Sequence, residues 1–147
     1  MLNAEKVKFA WETQKNYSFL DTLSLCQFVW GPAWTVYGPD EEVALIKAVT
    51  GWEVTLEEIQ QIGERRINMM RAFNAREGVG RDQDTLPKKL FKPLKGGRSD
   101  GLVITPDELE SALDLYYELA GWNKTTGNPT PTKLAELGLD WIQALNP

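Results

Sequence analysis

The chain has 147 residues, 42% of them apolar, which suits one average domain burying roughly two-thirds of the surface its unfolded form exposes. A net charge of −5 argues against a nucleic-acid or anionic-membrane surface, because both need clustered Lys and Arg to displace counterions. The absence of histidine and the single cysteine, Cys26, exclude an internal disulfide, Ser-His and Cys-His catalysis, imidazole general bases and most zinc sites.

Gly and Pro cut the chain into helix-length pieces. The first, from about Ala4 to Phe28, carries Val7, Ala10, Trp11, Tyr17, Leu20, Leu23 and Phe28 with few charges after Lys15, which predicts a helix whose second half is buried on most sides. Gly31, Pro32, Gly38 and Pro39 mark a loop. Asp40 is a candidate N-cap for a short helix with Val43, Ile46 and Val49, ending at Gly51.

Thr55 and Glu58 form a capping box, and Ile59, Ile62, Ile67, Met70 and Phe73 follow at helical spacing up to Gly78. From Val79 to Leu102 the glycines and prolines predict a long loop, docked or functional, with a turn of helix around Leu86 to Phe91. Thr105, Pro106 and Glu108 start another helix whose inner face holds Leu109, Ala112, Leu113, Tyr116 and Ala120 up to Gly121. A last short helix is expected from about Thr132 to Leu137, with Leu139, Trp141 and Ile142 packing the tail. Only Leu102 to Ile104 resembles a strand, and weakly, so the predicted fold is all-α: an irregular multihelical domain with a long Gly/Pro-rich loop.

No stretch approaches the roughly 18 uninterrupted apolar residues of a membrane span, and Met1 to Lys8 show no signal pattern, so a cytoplasmic protein is expected.

Few residues can carry chemistry. A lone cysteine in an apolar segment is ordinarily an inert core residue; the alternatives for Cys26 are a nucleophile, with Lys15 the nearest base in sequence, or one ligand of a cluster whose other ligands come from elsewhere. Asp21, between Leu20 and Leu23, needs donors: an arginine such as Arg65 or Arg71, a cap, or the amino groups of a bound ligand. On a continuous helix Asp21 and Leu25 share a face, with Cys26 about 140° away from Asp21. Arg65, Arg66, Arg71 and Arg76 read as a solvated face, and the six tryptophans, Trp11, Trp30, Trp34, Trp52, Trp122 and Trp141, as core. Carboxylate pairs such as Asp107 and Glu108 sit at helix starts, where they favour the macrodipole.

The segment Asp21-Thr-Leu-Ser-Leu-Cys26 resembles the D-x-x-G-L-C signature of the aldehyde:ferredoxin oxidoreductase family. Gly63 to Ile67, Arg71 to Gly78, Arg81 with Asp84 to Pro87, Tyr116 to Trp122, Gly127 to Pro129 and Leu134 to Leu139 follow in the order and spacing of that family's C-terminal end. The resemblance covers almost the whole chain. It implies an enzyme holding tungsten, or molybdenum, between two pterins beside one [4Fe-4S] cluster, oxidising aldehydes to acids and passing electrons to ferredoxin. It assigns Asp21 and Leu25 to the tungstopterin and Cys26 to the cluster as its fourth ligand.

Ser24 departs from the family's glycine, and the family's proton-donating histidine has no counterpart. The N-terminal domains and the other three cysteine ligands are also without counterpart here. Residues 1–147 are therefore expected to be the C-terminal helical domain of a longer chain, Met1 an artificial or truncated start, and the isolated piece colourless and inactive. The competing expectation is a stand-alone helical interaction module that kept the fold without the chemistry; a small-molecule pocket between helices is a third.

Overall fold

The structure, a computed structural model, describes residues 2–31 and 36–145. The described residues form six α-helices: α1 (Ala4–Thr22), α2 (Gln27–Trp30), α3 (Pro39–Thr50), α4 (Leu56–Arg76), α5 (Pro106–Ala120) and α6 (Pro131–Glu136). Among the described residues there is no strand, only an isolated antiparallel bridge between Trp122 and Pro129. Leu102 to Ile104 is not a strand, although the Leu102 carbonyl accepts from the Leu94 amide and closes a tight loop.

The helix starts follow their caps. Thr55 and Thr105 each accept from the third amide of their helix while Glu58 and Glu108 reach back to the cap amide, at 2.7 and 2.9 Å. α3 begins two residues earlier than Asp40 as N-cap implies, because Pro39 takes the first helical position and the Gly38 amide donates to Glu41. Thr130 caps α6, so that helix starts at Pro131. The predicted loop 79–102 is irregular, with 3-10 turns at Arg81–Gln83, Lys88–Phe91 and Gly97–Ser99.

α1 and α4 cross at the centre, and α5 lies against α1. Trp11, Ile67, Tyr117, Ala120 and Trp122 form one apolar cluster; Phe19, Ile46, Val54 and Ile59 form a second between α1, α3 and α4. Ala72, Leu134, Leu137, Leu139 and Ile142 join α6 and the tail to α4. The expected tryptophan core is only partly present: Trp11 and Trp122 are buried, Trp52 and Trp141 are exposed, and Trp34, like Pro32, lies outside the described residues. Val49, Met70 and Phe73 also face solvent, since α3 and α4 turn a narrower face inward than their apolar spacing implied.

One carboxyl is sealed in this frame. Glu42 is 1% exposed; one oxygen accepts from Asn16 Nδ2 at 2.9 Å and the other has no hydrogen-bond partner. Burial pushes its pKa above the ordinary 4.5, with the Asn16 bond opposing. A folded-state value above the unfolded one means the fold holds the proton more tightly, so stability falls as pH rises from about 4.5 through the raised value. Glu42→Gln is expected to remove that dependence. The midpoint of urea unfolding of the natural chain, taken relative to the variant, is predicted lower at pH 8 than at pH 5; parallel profiles would contradict it.

Candidate functional site

The predicted helix over 4–28 ends instead at Thr22. The Leu25 amide donates to the Leu20 carbonyl at 3.0 Å and the Ser24 amide to the Asp21 carbonyl at 3.2 Å, closing a Schellman turn with Ser24 in the left-handed region, φ 57°. Among the described residues Ser24 is the only non-glycine residue there. A glycine, which the resembled motif carries at this place, would adopt that φ without the Cβ penalty. Ser24→Gly is expected to stabilise by about 0.5–1 kcal/mol, the left-handed cost less the extra chain entropy of glycine, and Ser24→Val to destabilise. Thermal unfolding of the two variants checks both signs.

Because the helix breaks, the projection of Asp21, Leu25 and Cys26 on one continuous helix does not apply; the turn sets their separation. The same break corrects the expected burial. Residues 18–20 are buried, but Asp21 to Ser24 and Cys26 to Phe28 are exposed and Leu25 is half-buried. Cys26 is a free, exposed thiol rather than an inert core residue. It occupies the cap position of α2, its carbonyl accepting from the Val29 and Trp30 amides at 3.0 Å each.

Asp21 is held from two sides. Gln27 Nε2 donates to Oδ1 at 2.5 Å, and Arg66 Nη1 stands 3.1 Å from Oδ2 while also donating to Ser18 Oγ. The ion-pair partner is therefore Arg66, not Arg65 or Arg71, because Arg66 is the arginine that α4 presents to the end of α1. A carboxylate offers about four lone-pair sites, so two remain for an outside donor. Asp21 opens into a groove of about 340 Å³ that Arg66, Met70, Asn74 and Trp122 also line.

Arg71 is not part of a solvated face. It is buried, its guanidinium forking onto Asp84 at 2.9 and 2.5 Å while Nε donates to the Gly127 carbonyl at 2.8 Å. It also lies over the Trp122 ring, 5.1 Å from its centroid. The Tyr117 hydroxyl donates to Asp84 as well, and burial followed by that bond raises its pKa, so it stays a donor. Trp122 Nε1 in turn donates to the fully buried Asn68. Four of the sequence blocks singled out above meet in this network. Beside it Arg81 bridges Glu110 and Asp114 and covers the Tyr117 ring.

Sequence reasoning left Gln27 and Asp84 without a partner and placed Arg66 on a solvated face. Among the described residues no group of three or more Cys, Asp or Glu side chains is placed to hold a metal ion. An exposed thiolate can be one ligand of a cluster completed from outside, and an exposed carboxylate can accept from ring amino groups. No helix of the described residues is long and apolar enough to cross a membrane.

Comparison with known proteins identifies the family. Residues 1–139 match the family model described as aldehyde ferredoxin oxidoreductase, domains 2 and 3. The chain is 34% identical over 143 residues to a tungsten-containing aldehyde ferredoxin oxidoreductase of Pyrococcus abyssi, covering 95% of this chain and 22% of that protein. For the Pyrococcus furiosus enzyme of the same name the figures are 35% over 140 residues, 92% and 21%. A solved structure titled as the active site complex BamBC of benzoyl coenzyme A reductase with 1,5-dienoyl-CoA aligns with a TM-score of 0.74 at 25% identity, over 95% of this chain and 20% of that one. The chain thus spans about a fifth of the length of these relatives. It belongs to the aldehyde ferredoxin oxidoreductase family, whose domains 2 and 3 its residues 1–139 match.

Proposed function

We propose that residues 1–147 are the C-terminal helical domain of a longer, cytoplasmic tungstopterin oxidoreductase that oxidises aldehydes to carboxylic acids and delivers the electrons to ferredoxin. In this reading Asp21 accepts hydrogen bonds from a pterin ring, the half-buried Leu25 packs against it, and the Cys26 thiolate is the last ligand of a [4Fe-4S] cluster. The N-terminal domains of the same enzyme supply the remaining ligands. When bound, these cofactors supply the redox chemistry; the chain's own residues orient and cover them. Gln27 and Arg66 fix the Asp21 carboxylate, and the Schellman turn through Ser24 aims Cys26 outward beside it.

The observation that carries the reading is the exposed Cys26 thiol one residue beyond Leu25, on the turn that also ends in Asp21. A thiol so placed is available to a ligand from outside the chain, as a buried one is not. The test is Cys26→Ala in the complete polypeptide, purified without oxygen from cells supplied with tungstate. Loss of iron and of cluster absorbance, with the helical circular dichroism kept, is expected. Full retention of iron would sink the assignment.

A further inference from the structure

α4 turns one face into the core and an apolar cluster outward. Ile59, Gly63, Ile67, Asn68, Arg71 and Ala72 are buried, while Met69, Met70 and Phe73 are 43%, 53% and 56% exposed. Three large apolar side chains within five residues form a cluster that water leaves poorly solvated. The cluster is continuous with the Asp21 turn. Met70 lines the groove that Asp21 opens into, and Met69 lines a second, more apolar groove of about 460 Å³ with Thr22, Ile62 and Arg65. Arg66 borders both grooves, and Leu23, also exposed, follows Thr22. Arg65 is exposed and has no carboxylate partner among the described residues, in a chain whose net charge is −5.

We propose that this face, Met69, Met70 and Phe73 with Leu23 and the bare Arg65 at its rim, is the surface on which the rest of the oxidoreductase polypeptide docks. About four-fifths of each relative lies outside the stretch this chain matches, so the covering mass exists in them. The face runs into the turn where an outside ligand set would have to arrive. Its chemistry asks for an apolar partner surface carrying a carboxylate opposite Arg65. The inference rests on the proposed function for the identity of the occupant, not for the roles of Asp21 or Cys26.

Methionine footprinting tests it, because thioether oxidation follows exposure. The protein purified natively from its own cells is compared with the 147-residue chain expressed alone, with dilute hydrogen peroxide as the probe of Met69 and Met70 and iodoacetamide as the probe of Cys26. Oxidation slower by on the order of tenfold in the native material is expected. Equal rates overturn the proposal, including the case where the native material is the free chain. Slowing that grows with the concentration of the isolated chain identifies a second copy as the occupant and overturns it too. Protected methionines with a reactive Cys26 uphold the docking face and remove the cluster role; a blocked Cys26 with freely oxidised methionines does the reverse.

Discussion

Arg71→Leu is expected to cost about 3–5 kcal/mol of stability, the usual loss when one member of a buried ion pair is removed and the other stays. Arg71 satisfies three acceptors at once: both Asp84 oxygens and the Gly127 carbonyl. Its side chain is 9% exposed and that of Asp84 23%, so solvent takes over the lost bonds only in part. The substitution leaves Asp84 with the Tyr117 hydroxyl as its one remaining donor among these groups and removes the cation over Trp122. A double-mutant cycle with Asp84→Leu separates the pair from the packing: the double variant is expected to lose less than the sum of the single losses. Urea unfolding measures all three. A cost below about 1 kcal/mol would mean the pair behaves as a surface contact, and the network would not be the support described here.

That network marks the limit of what the sequence discloses. The capping boxes at Thr55 and Thr105 are local patterns, and their helices start where those residues say. Arg71 looks like surface charge because its partners lie 13 and 56 residues away, in a loop and a turn with no periodicity to read. The end of α1 was hidden for a different reason. Leu23 and Leu25 extend the apolar spacing past Thr22, and a serine in the left-handed region carries none of the warning a glycine gives. The candidate site was proposed from a motif, Asp21, Leu25 and Cys26, but the exposure of the thiol depends on that hidden break and could only be seen in three dimensions.

Gly63→Ala reverses the sign that an alanine ordinarily has in a helix. At an open position it would stabilise by about 1 kcal/mol. Here an added Cβ would fall inside the Lys15 carbonyl, a backbone group of α1 that cannot rotate aside as a flexible side chain can. α1 and α4 must move apart; overpacking of this kind costs typically 1–3 kcal/mol, which after the propensity gain leaves a net loss of up to about 2 kcal/mol. The adjacent exposed position, Gln61→Ala, is expected to stay within about 0.5 kcal/mol, which separates the steric cause from a general sensitivity of the helix. The consequence reaches the candidate site through short lengths of helix. Arg66 is three residues beyond Gly63 and Asp21 six beyond Lys15, so parting the crossing also parts the 3.1 Å contact between them. Stability to urea and the crystallographic Arg66 to Asp21 distance should therefore change together in Gly63→Ala. A variant as stable as the natural chain, with that contact intact, would mean that α1 and α4 do not meet at Gly63.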